Sequence, residues 1–159
     1  MRAGPQDLPA SRELLGLSMA SYVLASFLLS LPGYPLVAAG QLALMDASLV
    51  VVFAATTLYL TGKMARLTQT LTALSGTGTL LGLIALPVIQ LLASGEDAGQ
   101  PALLAGMLWL LLFGWNLLVV AHIMRHALSV NFPMAIGIAI LYTLVAIQII
   151  NALFPMSPG

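Results

Sequence analysis

Long apolar blocks separated by short polar junctions dominate the pattern of this chain. Five blocks are continuously apolar over about the 20 residues that a helix needs to cross a bilayer core of roughly 30 Å. Lipid-facing strands alternate apolar and polar residues instead, whereas a helix pairs all its backbone groups within one segment. We therefore predict an all-α membrane protein, a bundle of five transmembrane helices in one domain over residues 1–159. The predicted spans are approximately 14–31, 45–61, 75–93, 102–122 and 133–154.

The start of the second helix is the least defined boundary. Its apolar run extends back to Leu36, but Gln41 and Asp46 interrupt it. At about 1.5 Å per residue, the stretch from Asp46 to Lys63 is roughly as long as the hydrocarbon core is thick. With Lys63 at one surface, we expect Asp46 at the other, where it caps the second helix. Residues 36–44 then form a connection or a helical extension.

Composition and charge support the membrane class and predict an orientation. Hydrophobic residues make up 60% of the chain and charged residues 6%, against roughly a quarter charged in soluble domains. All Lys and Arg residues fall at junctions that five helices place on one side, and short basic loops stay cytoplasmic. The N terminus is therefore expected in the cytoplasm and the C terminus outside. The acidic segment 95–100 and the turn 32–35 face outward.

The first block also has the features of a secretory signal peptide. Arg2 and Arg12 precede it, and Val37-Ala38-Ala39 offers a small-residue cleavage site. Its apolar stretch is longer than the usual apolar region of a signal peptide. We therefore expect a retained helix.

Charge and cysteine usage exclude several kinds of partner. The chain has no Cys, which excludes disulfides and thiolate metal sites, and no cofactor is expected. Basic residues spread over three junctions do not build a phosphate-tracking patch, so nucleic acid is not an expected partner. Anionic lipid headgroups are an expected partner, because nearby cations are attracted to them. The residues at this inner interface are Lys63, Arg66, His122, Arg125 and His126.

Polar side chains inside or beside the blocks are the candidate binding residues. They are Asp46, Gln90, Asn116 and Gln148. Amides at such depth usually bond across helices, and that is our first interpretation of them. A polar pathway is the alternative. Asp46 adjoins a span, where acids are functional candidates by default; beyond capping, it is a candidate for a buried polar contact or a substrate site.

His122 and His126 lie four residues apart on one predicted helical face. That spacing is used by paired metal ligands, but the Glu that follows the first His in a zincin motif is missing. Cations are also stabilised at a helix C terminus. We expect an interfacial anchor, with a metal or haem site as the alternative.

Small residues four apart allow helices to approach closely. Such spacing joins Gly78 to Gly82 in the third block and Ala135 to Ala139 in the fifth, and Gly76 precedes the first pair. The glycines do not follow the dinucleotide fingerprint GxGxxG. We expect packing inside the monomer, or alternatively an interface with a partner or a second copy.

The order of junctions and helices resembles the Yip1 domain, a five-span membrane family. The resemblance rests on the basic junction 61–71, on Ala85-Leu86-Pro87, and on the segment from Leu108-Trp109 to Arg125-His126 and Val130. It covers roughly residues 45–154. It implies a compact bundle like the short bacterial members, in the inner membrane, with a scaffold or membrane-organising role. The chain lacks the extended N-terminal region and the Asp-Leu-x-Gly-Pro type motif of eukaryotic members, so Rab-GTPase binding is not implied.

Three functional hypotheses follow. Because the span centres carry almost no charge, we expect a noncatalytic scaffold or adapter that contacts a membrane-protein partner or forms a homo-oligomer. The alternative is a small transporter or channel subunit that uses the polar candidates as its route. An enzyme is not expected. A hydrolase needs a nucleophile and a base within hydrogen-bond reach, and the chain has neither a GxSxG nor an HExxH motif.

Overall fold

The computed structural model describes residues 11–93 and 100–154, and every regular element in these ranges is helical. The helices are α1 (Arg12–Ser30), α2 (Leu36–Leu60), α3 (Leu67–Ala93), α4 (Gln100–Leu128) and α5 (Phe132–Leu153). All five are long and apolar enough to cross a membrane, so the predicted all-helical class is confirmed. Arg2 and residues 95–99 of the predicted acidic segment lie outside the described residues.

The second helix begins well before the predicted span. α2 starts at Leu36, after Pro35 at its N-cap position, so residues 36–44 are a helical extension. Alanine is the best helix former, and alanines at every fourth position continue the helix past Gln41. The prediction that Asp46 caps this helix is therefore wrong, since Asp46 lies near the middle of α2. The buried alanines of this stretch are Ala39, Ala43 and Ala47.

The third helix also extends beyond its predicted start. A short 3-10 turn at Met64–Arg66 leads directly into α3 at Leu67, ahead of the predicted start at residue 75. Residues 67–74 are rich in threonine, but their hydroxyls bond to carbonyls of the same helix: Thr70 to Arg66 at 2.8 Å and Thr72 to Thr68 at 2.8 Å. Such back-bonding lets a polar segment stay helical.

Cap residues fix several of the helix ends. The Ser11 hydroxyl accepts from the backbone N–H of Leu14 at 3.3 Å, and the Asn131 side chain accepts from that of Met134 at 3.0 Å. α2 ends at Leu60, and Gly62 follows it with a φ of 68°, a conformation that favours glycine. α4 continues past the predicted end at 122 to Leu128.

The helices form a ring in the order α2, α1, α3, α4, α5. α3 packs between α1 and α4, while α2 packs on α1 and α5 packs on α4. Contacts between α2 and α5 close the ring, where the rings of Phe53 and Tyr142 stack with centroids 4.3 Å apart. This arrangement brings residues from all five helices to a common interior.

The most tightly packed part of the interior lies towards one end of the bundle. We call this the basic end, because Arg12, Lys63, Arg66 and Arg125 lie there. Leu58 and Met124 are fully buried within it. The remaining buried residues of this core are Val50, Ala54, Leu71, Leu74, Ile123, Ala127 and Leu128.

Two basic residues of the α2–α3 junction cap the end of α4. Lys63 Nζ donates to the carbonyl of Leu128. Arg66 Nη1 donates to the carbonyls of His126 at 3.0 Å and Ala127 at 3.1 Å, and to the Ser129 hydroxyl at 2.9 Å. The last carbonyls of a helix lack partners within it and carry partial negative charge, so basic side chains stabilise them.

Replacing Arg66 is expected to destabilise the basic end. Arg66→Ala removes the donor for three acceptors, and we expect the free energy of unfolding to fall by about 1–3 kcal/mol. Arg125→Ala is the matched control, because Arg125 is exposed and its guanidinium lies over the Phe132 ring at a distant 6.0 Å. Thermal unfolding in mild detergent measures both. Equal midpoints for the two variants would contradict the capping role.

Candidate functional site

A carboxyl group held by hydroxyls lies in the interior of the bundle. The Tyr22 hydroxyl donates to Asp46 Oδ2 at 2.7 Å, and the Ser26 hydroxyl donates to the same oxygen at 3.0 Å. Tyr22 and Ser26 lie one helical turn apart on α1, so one face of α1 presents both donors to α2.

The cluster lies within the helical parts of α1 and α2. Asp46 is close to the midpoint of α2 (Leu36–Leu60). At about 1.5 Å per residue, Tyr22 lies roughly 15 Å along α1 from its start at Arg12, while Ser26 is one turn from the end of α1 at Ser30. Asp46 therefore belongs to the interior of a helix that is long and apolar enough to cross a membrane.

A cavity of about 170 Å³ adjoins the cluster. α1, α3 and α4 each line it with four residues spaced i, i+3, i+4 and i+7, which is one helical face, and Asp46 of α2 completes the lining. The lining residues are Tyr22, Ala25, Ser26 and Leu29 of α1, Gly78, Leu81, Gly82 and Ala85 of α3, and Trp109, Leu112, Phe113 and Asn116 of α4.

The second oxygen of the Asp46 carboxyl has no donor in the part of the chain that the structure describes. Both hydroxyl donors bond to Oδ2, and no described residue donates to Oδ1. Among the described residues, the fully buried side-chain polar atom without a partner is Nε2 of His122. Oδ1 is therefore not fully enclosed by its neighbours, and the Asp46 side chain lines the cavity.

A smaller cavity of about 50 Å³ lies next to the first, towards the basic end. Tyr22, Gly78 and Asn116 line both cavities and therefore separate them. Leu74 and Val120, which line the smaller cavity alone, lie closer to the basic end than those three residues. Beyond them the basic-end core fills the interior. The two spaces form an interrupted path that ends at that core.

Two of the four predicted polar candidates meet at the larger cavity. Asp46 and Asn116 both line it, although they belong to α2 and α4. Gln90 and Gln148 are exposed on the outside of the bundle and do not line the two cavities described. A continuous polar route through all four residues is therefore not what the structure forms.

The predicted small-residue faces pack inside the monomer at four of five positions. A Cβ added to Gly78 would lie 2.5 Å from Cε2 of Tyr22, and one added to Gly82 would lie 3.2 Å from Leu29 Cδ1. Ala135 and Ala139 are fully buried, in a cluster with Ala121 of α4. Gly76 differs, since nothing lies within 4 Å of an added Cβ.

The histidine pair lies near the end of α4. The rings of His122 and His126 are 4.7 Å apart between centroids, as their spacing predicted. His122 Nε2 is buried without a partner in the described residues. The described part of the chain contains no group of three or more His, Cys, Asp or Glu side chains placed to hold a metal ion. Within the described residues, His122 and His126 thus have no third side chain placed to complete a metal site with them.

The predicted lipid-facing basic residues are used differently from one another. Lys63 and Arg66 bond to the end of α4, a role that the sequence did not indicate. Arg125 is exposed and remains available to lipid headgroups.

The sequence did not single out the residues that α1 contributes to the site. Tyr22 and Ser26 belong to a stripe of hydroxyl residues at every fourth position of α1, from Ser18 to Ser30. The first member of this stripe, Ser18, accepts a hydrogen bond from the hydroxyl of Ser75 in α3 at 2.9 Å. That repeat was the available signal, because such residues share one helical face.

Comparison with known proteins gives no relative: no family model, curated protein or solved structure matches this chain. The resemblance to the Yip1 domain stays a prediction.

Proposed function

We propose that this protein is a small membrane transport protein that binds its solute at Asp46. The observation that carries this proposal is the position of Asp46 near the middle of an apolar helix and in the lining of the larger cavity, with one carboxyl oxygen that accepts from no described donor. Acidic residues at that depth are costly and usually mark substrate or ion pathways.

The contacts of Asp46 favour a binding role over a structural ion pair. A buried carboxylate kept for structure is normally paired with a cation, whereas Asp46 accepts from the hydroxyls of Tyr22 and Ser26. Two neutral donors orient Oδ2 and leave Oδ1 for another partner. A small solute in the larger cavity is the partner that this geometry suits.

The uneven packing of the bundle supports movement of that solute. The described interior holds two cavities in sequence, and the basic-end core closes the path beyond them. A carrier closes its binding site on one side of the membrane while the site is open on the other. Repacking of one group of helices against another changes which side is open. Closure at the basic end corresponds to one of these two states.

The orientation and location of the protein are part of the proposal. Short basic loops are retained in the cytoplasm, which supports a cytoplasmic basic end and a cytoplasmic N terminus. The resemblance to short bacterial members of the Yip1 family supports the bacterial inner membrane.

Solute entry into proteoliposomes tests the transport function. Vesicles containing the protein are mixed with hyperosmotic solutions of ammonium, methylated ammonium, sodium and potassium thiocyanates, whose anion crosses lipid and balances the charge of an entering cation, or of small neutral alcohols. Stopped-flow light scattering then follows their re-swelling. We expect the protein to speed re-swelling for at least one solute, and Asp46→Asn to remove that increase because the variant lacks the negative oxygen.

Gln148→Leu provides the matched control, since Gln148 lies on the exposed side of α5 and does not line the cavities. Its rate should equal that of the parent protein. Empty vesicles and vesicles with the parent protein giving the same rates for every solute would refute the proposal.

A scaffold or adapter is the second candidate, and a feature of the outer surface favours it. Gly106 and Gly114 of α4 and Gly137 of α5 have nothing within 4 Å of an added Cβ, so another helix has room to approach closely. Crosslinking mass spectrometry in the source membrane tests this role. A stoichiometric partner crosslinked near α4 and α5 would support it, and recovery of the monomer alone would argue against it.

A further inference from the structure

The larger cavity joins one acidic group to a wall of aromatic rings. Asp46 lines one part of it, and Trp109 and Phe113 of α4 line another. The centroids of these two rings are 6.4 Å apart and their planes are inclined by 49°. Among the described lining residues there is no Lys, Arg or His, so the chain supplies a negative group to this space without a positive one.

We propose that the solute bound in this cavity is a small organic ammonium ion, placed between the Asp46 carboxyl and the Trp109–Phe113 rings. This inference rests on the proposed transport function and names its solute class. The carboxyl supplies the opposite charge, and the rings supply cation–π attraction, which is strongest for Trp and favours quaternary ammonium groups.

The volume of the cavity limits the size of this ion. A cavity of about 150 Å³ holds benzene, so the 170 Å³ available here suits a solute of roughly six to eight non-hydrogen atoms. Drug-sized ligands occupy larger sites, of about 300–1,000 Å³.

Other charged solutes fit the lining less well. Calcium and magnesium ions need about six or more oxygen ligands, while the side-chain oxygens here come only from Tyr22, Ser26, Asp46 and Asn116 among the described lining residues. An anion would be repelled by Asp46. A small inorganic cation would lose hydration against walls of leucine, alanine and aromatic carbon, which is costly, whereas methyl groups on an ammonium ion suit that wall.

Tryptophan fluorescence tests the assignment directly. The chain has 2 Trp residues, so Trp115→Phe leaves Trp109 as the single reporter within the cavity lining. The probe is choline, compared with its uncharged carbon isostere 3,3-dimethylbutan-1-ol and with sodium chloride at equal ionic strength. We expect a saturable change in Trp109 fluorescence with choline, and no such change with the isostere or with sodium chloride.

Two variants separate the charge from the ring contribution. In the Trp115→Phe background, Asp46→Asn is expected to weaken choline binding at least about tenfold, and Phe113→Leu about two- to tenfold, from the usual strength of one cation–π contact. Gln148→Leu should leave binding unchanged. Size-exclusion chromatography establishes that each variant is folded.

Each result bears on the assignment. Equal binding of choline and the isostere would overturn it, because the cavity would then select shape and not charge. No choline binding, together with Asp46-dependent vesicle entry of another solute, would overturn the ammonium assignment and leave the transport function standing. If neither choline binding nor Asp46-dependent vesicle entry of any solute were observed, both proposals would be overturned.

Discussion

Gly78→Ala is expected to destabilise the bundle by about 1–3 kcal/mol, the usual cost of adding a methyl group to a packed interior. The new Cβ would lie 2.5 Å from Cε2 and 2.9 Å from Cδ2 of Tyr22, distances that require the ring to move. The Tyr22 hydroxyl is bonded to Asp46 at 2.7 Å, so moving the ring also disturbs that bond. Chemical unfolding in detergent micelles measures the loss.

Two other glycines of α3 provide a graded control series. Gly76→Ala meets nothing within 4 Å, and alanine favours a helix over glycine by about 1 kcal/mol, so this variant should be neutral or slightly more stable. Gly82→Ala places its Cβ 3.2 Å from the flexible end of Leu29 and should fall between the two. Equal stability of the Gly76 and Gly78 variants would show that α1 is not packed against α3 in this register.

This series also marks what the glycine spacing was able to predict. The spacing of Gly78 and Gly82 predicted a close helix approach, and both glycines lie against α1. The same prediction included Gly76, although its spacing does not fit that face. Residues two positions apart on a helix differ in direction by about 200°, so Gly76 points away from Gly78. No local sequence pattern predicted that α1 would be the helix packed against these glycines, because the order of the helices in the ring depends on all five helices together.

The position of Asp46 shows a different limit. The sequence predicted the start of α2 poorly, since Gln41 and Asp46 resemble interruptions of an apolar block, whereas the predicted end at residue 61 agrees with the observed end at Leu60. In the structure they are side chains of one continuous helix, because polar residues do not end a helix whose backbone bonds are intact. Counting from Lys63 also assumed that Lys63 marks the membrane surface, whereas its amine reaches the end of α4.

The site combines a residue that stood out in the sequence with others that did not. Asp46 was a candidate because it is the acidic residue beside a span. Tyr22 and Ser26 were not, since hydroxyl residues are common in membrane helices and usually bond to their own backbone, as Ser30 does to Ser26 at 2.8 Å. Only the packing of α1 on α2 distinguishes a hydroxyl aimed at Asp46 from one that satisfies its own helix.

Tyr22→Phe is the substitution that tests this cluster without changing its packing. The ring is kept and the donor to Asp46 is lost, so the carboxyl retains only the Ser26 hydroxyl, at 3.0 Å. Interhelical hydrogen bonds in membranes contribute up to about 1.7 kcal/mol, and a carboxylate acceptor strengthens such a bond. We therefore expect the free energy of unfolding to fall by about 1–2 kcal/mol.

Tyr59→Phe is the matched control, because Tyr59 belongs to α2 as Asp46 does but is 73% exposed. Loss of the Tyr59 hydroxyl should leave the unfolding midpoint unchanged. A double-mutant cycle of Tyr22→Phe with Asp46→Asn isolates the pair from other contacts. A coupling free energy near zero would mean that Tyr22 does not hold the carboxyl in place, and the position of Asp46 in the cavity lining would then need another cause.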